Sequence, residues 1–346
     1  MKRQILHIIL WCVLVGPFLA NAQDPMFSQF YSTPLVLNPA FAGTTYAPRF
    51  SATYRNQWPT VADVSGTAFA TYAASYEQFI PSLNSGFGLL VMSDNAGGGL
   101  LKTTQFSAIY AYQINVNDDF HIKLGVDAGF RQTNLDWDKL VFLDQLNPIT
   151  GPVGPGGNPN PTNELRPDVL NRTVFDVSTG LLAYSRQFYG GISLHHLTTP
   201  DEGFLANTNA GLTEGLPLRF SLHGGAQFIV REGNKRQPAS FISPNIMFLK
   251  QGDQGQLNLG AYYSLGLVFA GGWYRHTFGN ADAVIALAGF SYDVFKIGYS
   301  YDYTVSSLSP SGGAHEISLV INLDNSENIK RKRFADRYYD CFKIFR

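Results

Sequence analysis

A chain of 346 residues carrying 15% charged and 14% aromatic residues, with 34 Gly, 26 Phe and 18 Tyr, departs from soluble domains, where about a quarter of residues are charged. The net charge of −1 offers nothing to nucleic acid, and past the N-terminus no stretch approaches the 18 or so uninterrupted apolar residues of a membrane-spanning helix. A chain rich in aromatics and Gly, poor in charge and near zero in mean hydropathy suits strands with one face in lipid and the other in a polar lumen; a secreted β-sandwich is the plainer alternative.

The N-terminus reads as an export signal. Lys2 and Arg3 precede an apolar run from Ile5 to Phe18 that is too short to span a bilayer, and Ala20-Asn21-Ala22 forms a small-residue cleavage site. Residues 1–22 are thus a predicted signal peptide, with cleavage after Ala22 and a mature chain starting at Gln23. Cys12 leaves with the signal, and Cys341 alone cannot form an internal disulfide.

Residues 23–46 form a separate segment. Pro25, Pro34 and Pro39 disfavour a long helix or a central strand. Its aromatics need burial, which predicts packing into a lumen or against the periplasmic rim.

From residue 47 a period of two dominates. Phe120, Ile122, Leu124, Val126, Ala128 and Phe130 make one apolar face, and His121, Lys123, Gly125, Asp127, Gly129 and Arg131 the other. The same pattern sets Phe106, Tyr110 and Tyr112 against Gln105, Ser107 and Gln113, Leu218, Phe220 and Leu222 against Arg219, Ser221 and His223, and Phe295, Ile297, Tyr299, Tyr301 and Tyr303 against Lys296, Ser300 and Asp302. At the end, Ile317, Leu319 and Ile321 oppose Glu316, Ser318 and Asn322. Segments 47–57, 66–76, 85–92, 102–115, 119–133, 173–184, 187–197, 217–231, 239–250, 255–264, 267–278, 281–292, 294–304 and 313–324 are the predicted strands, although 239–250 and 281–292 alternate poorly. The fold class is all-β: a transmembrane antiparallel β-barrel of about 14 strands, with 12–16 acceptable. Were residue 47 periplasmic, the long connections 134–172 and 198–216 would be external. The first is dense in Pro and Gly between Gly151 and Pro161 and predicts an external loop.

No G-x-S-x-G, H-E-x-x-H or Walker loop occurs, so no catalytic, cofactor-binding or metal-binding residue is assigned and no cofactor is expected. The His195-His196 pair sits near a strand end. Neighbours in a strand face opposite ways, so at most one of the pair is expected in a given site.

The barrel region, 47–324, is followed by a tail, 325–346. Its seven basic residues (Lys330, Arg331, Lys332, Arg333, Arg337, Lys343, Arg346) outnumber three acidic ones, and it is aromatic. In this topology it is periplasmic. Lys330, Arg331, Lys332, Arg333, Tyr338 and Tyr339 are candidate partner-binding residues; the alternative is a short helix resting on the rim against anionic membrane lipid.

Three motifs remain: Asp24-Pro25-Met26-Phe27-Ser28-Gln29-Phe30, Asn38-Pro39-Ala40-Phe41-Ala42-Gly43, and Tyr54-Arg55-Asn56-Gln57-Trp58-Pro59. Together with Gly313-Ala314-His315-Glu316-Ile317-Ser318-Leu319, they resemble the PorP/SprF family of the type IX secretion system of Bacteroidota, more closely its SprF-like branch. The resemblance samples both ends of the mature chain. It implies a non-enzymatic outer-membrane barrel that supports secretion and surface anchoring of an adhesin with a type B C-terminal domain, often for gliding motility. It also implies periplasmic and outer-membrane partners within the machinery. Asp24, Pro25, Phe27, Ser28, Gln29, Asn38, Pro39 and Gly43 carry the family motif. A reading of another class, an outer-membrane channel for small solutes or hydrophobic molecules, fits the same luminal charges.

Overall fold

A computed structural model describes residues 24–61, 67–154, 156–204, 215–233, 239–278, 282–306, 311–325 and 342. Fourteen antiparallel strands close into a barrel. They are β1 (Arg49–Gln57), β2 (Phe69–Ile80), β3 (Ser85–Ala96), β4 (Leu101–Asn115), β5 (His121–Leu135), β6 (Asn171–Tyr184) and β7 (Phe188–His195). β8 runs through Arg219–Ala226 and resumes as Phe228–Arg231. Then come β9 (Ser240–Gln251), β10 (Gln254–Ser264), β11 (Val268–Thr277), β12 (Ala283–Tyr292), β13 (Phe295–Thr304) and β14 (Ala314–Asn322). Each strand pairs with its neighbours in sequence, and the ring closes where Arg49–Gln57 pairs with Ala314–Asn322. Among the described residues no helix is long and apolar enough to cross a membrane; this chain crosses with strands, which pair backbone with backbone around the ring.

The inside–outside alternation follows the sequence pattern. In β5, His121, Lys123, Asp127 and Arg131 are buried, whereas Leu124, Val126 and Phe130 are exposed. The exposed apolar side chains form the lipid-facing belt. Aromatic pairs flank it, Phe188–Phe228 and Phe50–Tyr76 at the end where the chain enters β1, and Phe130–Phe175 nearer the other. The connections 58–68, 136–170, 196–218 and 305–313 share one end. The tight turns 185–187, 265–267 and 293–294 share the other, with both ends of the barrel sequence. By the rule that such barrels carry their longer loops outside, the long-loop end is taken as external and the other as periplasmic.

Several strands differ from the predicted segments, β3 running to Ala96 and not to residue 92. β2 extends to Ile80, not to residue 76, because Glu77 faces inward and is neutralised by Arg49 at 2.9 Å, so a charge that reads as a strand end lies in the lumen. β9 alternates in burial from Phe241 to Gln251, and its sequence pattern is blurred because Phe241, Met247 and Leu249 are apolar yet face the lumen. With Asn245 opposite Gly225 and Ile242 opposite Phe228, Pro244 falls opposite Ala226, and its missing N–H interrupts the β8–β9 ladder beside Gln227.

Candidate functional site

The lumen is filled by the chain's own residues 24–46. Nearly every residue of that stretch is buried, and its only regular structure is a helical turn at Pro34–Leu37 and a 3-10 turn at Pro39–Phe41. Each turn starts on a proline, which supplies a helical φ where no N–H is needed. The segment descends from the external end, at Asp24, to the periplasmic end, where the Asp324 carboxylate accepts from the Tyr46 and Ala47 amides at 3.0 Å.

Asp24 is the upper anchor. Arg131 and Arg219 donate to its carboxylate at 3.0 and 3.1 Å, and its own amide donates to Gln251 at 3.0 Å. His196 bridges Asp24 and Asp176 through its two ring nitrogens, at 2.5 and 2.6 Å, an arrangement in which only the imidazolium donates to both. Burial opposes that charge, but the hydrogen bonds to Asp176 and Asp24 outweigh it and raise the His196 pKa above 6.5. Arg131 also meets Glu202 of the external connection 196–218, so the anchor ties the segment to a loop as well as to the wall.

Ser28 and Gln29 occupy a second polar cluster. The Glu316 carboxylate accepts the backbone amides of Ser28 and Gln29, each at 2.8 Å. Ser28 donates to Asp302 at 2.6 Å, and Arg55 and Arg275 donate to the same Asp302 oxygen. Two cations thus face two anions, the condition for burying charge at tolerable cost. Below, Phe30 and Tyr31 pack edge-on against Trp273 and against Tyr262 and Phe269. The peptide carbonyl of Tyr31 accepts from Arg49.

Asn38-Pro39-Ala40 lies in a slot made by two glycines. Gly125 of β5 and Gly180 of β6 are directly paired across the strands. A Cβ on Gly180 would overlap the Asn38 side chain, and one on Gly125 would overlap the Ala40 backbone. The Asn38 amide donates to the Leu181 and Ile192 carbonyls at 3.1 Å while its oxygen caps the Ala40 N–H at 2.8 Å. Lys123 donates to the Ala42 carbonyl at 2.5 Å, and the Gly43 amide donates to Glu77 at 3.0 Å.

Of the motif residues, Asp24, Phe27, Ser28, Gln29, Asn38, Pro39 and Gly43 are buried in the lumen, and Pro25 is half-buried. Lys330, Arg331, Lys332, Arg333, Tyr338 and Tyr339 lie outside the described residues, as do residues 1–22. Phe342 of the tail is described. It is fully buried at the periplasmic mouth, with Phe41, Tyr184 and Tyr189 at ring separations of 6.0, 5.0 and 5.7 Å. His195 and His196 both face inward, against the expectation of opposite faces. β7 ends at His195, and His196 has φ 62°, a left-handed turn that swings its ring back over Asp24. His195 instead reaches the Leu37 carbonyl at 3.1 Å.

The sequence pattern put Gly125 and Asp302 on the luminal face without showing that they hold the segment, and it missed Gly180, Arg275 and Gln251 as its partners. Polar residues in strands suggest a lumen without saying what fills it. The signal that could have found the slot is Gly at luminal mid-strand positions, where packing against another backbone is the usual reason. A cavity of about 10 Å³ beside Asp24, Asp127 and Arg219 has room for about one water, so this part of the lumen is packed. Among the described residues no group of His, Cys, Asp or Glu has metal-holding geometry.

The Pseudomonas putida toluene transporter TodX is 9% identical over 84% of this chain and 92% of its own, with a TM-score of 0.45. The monoaromatic hydrocarbon channel CymD is 12% identical over 86% and 91%, with a TM-score of 0.44. A triple mutant of the Rhodopseudomonas blastica porin is 6% identical over 80% and 99%, with a TM-score of 0.35. Likenesses this low say nothing of function or ligand. No curated protein matches. The model of the type IX secretion system membrane protein PorP/SprF matches residues 19–321, a span that takes in the whole luminal segment and all but the last residue of the barrel strands, and the chain belongs to that family.

Proposed function

We propose that this chain is a non-enzymatic component of the type IX machinery, of the SprF-like branch. In this reading it reaches the outer membrane through a signal peptide cleaved after Ala22 and supports secretion and surface anchoring of an adhesin with a type B C-terminal domain, the adhesin serving gliding motility in cells that glide. The observation that carries this reading is the filled lumen: residues 24–46 are ion-paired and hydrogen-bonded to the wall from the external end to the periplasmic end. A barrel that commits its buried charges to its own chain is suited to hold and present proteins. The competing reading, a channel for small solutes or hydrophobic molecules, requires that segment to leave.

The tail, 325–346, is proposed to dock a periplasmic part of the machinery through Lys330, Arg331, Lys332, Arg333, Tyr338 and Tyr339, charge guiding encounter and buried aromatics holding the partner. The burial of Phe342 against Phe41 supports a tail that returns to the barrel mouth. The test is a strain lacking the gene, complemented with the full chain or with a chain ending at Asp324. Loss of the surface adhesin in the deletion strain, restored by the full chain and not by the truncation, is expected. Normal surface display without the gene would refute the secretion role, and normal display with the truncation would refute tail docking.

A further inference from the structure

β8 changes character at Gln227. Up to Ala226 it is paired on both sides, Ala226 being opposite Phe188 of β7. Beyond, Phe228–Arg231 pairs only with β9, and its other edge faces no strand among the described residues. The Gln227 amide donates to the Gln187 carbonyl at 2.7 Å, on the β7 side. Backbone groups alternate sides along a strand, so the N–H and C=O of Ile229 follow those of Gln227 into the free edge; the register shifts only beyond Ile229, where a bulge leaves Val230 with no residue opposite. All four residues are exposed, Phe228 at 43%, Ile229 at 48% and Val230 at 60%. Hydrocarbon does not account for this. Phe228 already meets Phe188 in the periplasmic aromatic girdle, and the residues after it continue away from the bilayer at about 3.3 Å each.

We propose that the free edge of Phe228–Arg231 docks an extended segment of a periplasmic protein, which adds to the barrel wall as one more strand. The occupant has to be a polypeptide, because only a backbone offers alternating carbonyls and amides to match an open ladder. Arg231 makes no ion pair among the described residues and selects an acidic residue in the incoming strand, while Ile229 and Val230 select apolar ones. Natural barrels avoid bare edges because they template pairing, so an apolar edge whose single charge lies at its far end is expected to be covered in the working assembly. This edge is independent of the tail and of the filled lumen, and its docking role stands whether or not theirs does.

The test separates backbone pairing from general stickiness. The full chain, carrying a photo-crosslinker at Val230, is made in its own cells together with the whole secretion machinery. An adduct with a periplasmic protein is expected, its peptide mapping to one short segment with an acidic residue. Ile229→Pro removes the free-edge N–H and leaves the ladder to β9 in place, and should cut the adduct about tenfold, the effect of one lost backbone hydrogen bond. Ile229→Ala keeps the N–H and should retain most of it. All variants should show the same heat-modifiable mobility on gels, confirming a folded barrel. An adduct only with lipid, with a second copy or with the chain's own C-terminal residues would overturn the proposal. So would no adduct, or one that Ile229→Pro leaves intact in a folded barrel.

Discussion

At the scale of residues, the motif at the start of the mature chain and the motif near its end are two halves of one contact. Ser28 and Gln29 give their amides to Glu316, and Arg55, from the Tyr-Arg-Asn-Gln motif, donates to both Ser28 and Glu316. Removing one partner of such a buried pair costs about 3–5 kcal/mol, because the other charge is left without compensation. The Asp24 anchor adds a pH dependence whose sign is set by His196. Its pKa is raised on folding, so its contribution is complete below about 6.5 and is lost as pH rises through the folded value. Met26, half-buried beside Arg219, reports on that anchor. In a Cys341→Ser background, a cysteine replacing Met26 should label faster from outside at pH 9 than at pH 6.5, relative to one replacing the exposed Ile149. His196→Gln should abolish the difference; a pH response that survives this substitution would remove His196 from the anchor. The glycine slot gives a second prediction. Gly180→Val puts a side chain where Asn38 lies and should destabilise the seated segment by about 1–3 kcal/mol, read as faster labelling at the same Met26 position. Unchanged labelling would mean the slot is not what seats the segment.

At the scale of elements, the strands were legible where one face is lipid. β5, β6, β13 and β14 alternate without interruption because hydrocarbon admits only apolar side chains and the lumen takes the rest. The pattern failed where a local reason overrode it, at Glu77 with its luminal partner Arg49 and in β9, where Phe241, Met247 and Leu249 are apolar and face the lumen. The segment 24–46 was legible as buried but its path was not. Nothing local in Asp24-Pro25-Met26-Phe27 indicates Arg131 and Arg219, which are distant in sequence. The side-chain assignment in β5 can be tested directly. Leu124 is 46% exposed and Lys123 is fully buried with its ammonium on the Ala42 carbonyl. Leu124→Arg should destabilise the barrel in urea titration by up to about 2–4 kcal/mol, the cost of a cation at the bilayer midplane. Lys123→Leu should spare the wall and loosen the segment at Ala42. Equal effects of the two on barrel unfolding would mean that the faces of β5 are misassigned.

At the scale of the whole molecule, the wall and the filling are held by different forces, and so they should separate. The wall is a closed ladder of backbone hydrogen bonds, continuous around the ring from β1 to β14. Residues 24–46 are held instead by side-chain anchors at separate levels: Asp24, the Ser28–Gln29 pair, Asn38 and the Asp324 cap. Among these, the anchor at Asp24 and the Glu316–Asp302 cluster depend on charge, and denaturant competes for their hydrogen bonds before it breaches the closed ring of paired strands. In planar bilayers the intact chain should therefore show little steady conductance in buffer. Moderate urea should produce open steps that disappear when the urea is removed, while the protein still runs as a folded barrel on gels. A chain in which residues 24–46 are replaced by a short Gly/Ser linker should conduct without urea. If the intact chain conducts steadily from the start, residues 24–46 do not seal the lumen, and the channel reading gains over the scaffold. If the linker variant folds and stays silent, something other than this segment closes the barrel, and the buried Phe342 at the periplasmic mouth would be the next residue to replace.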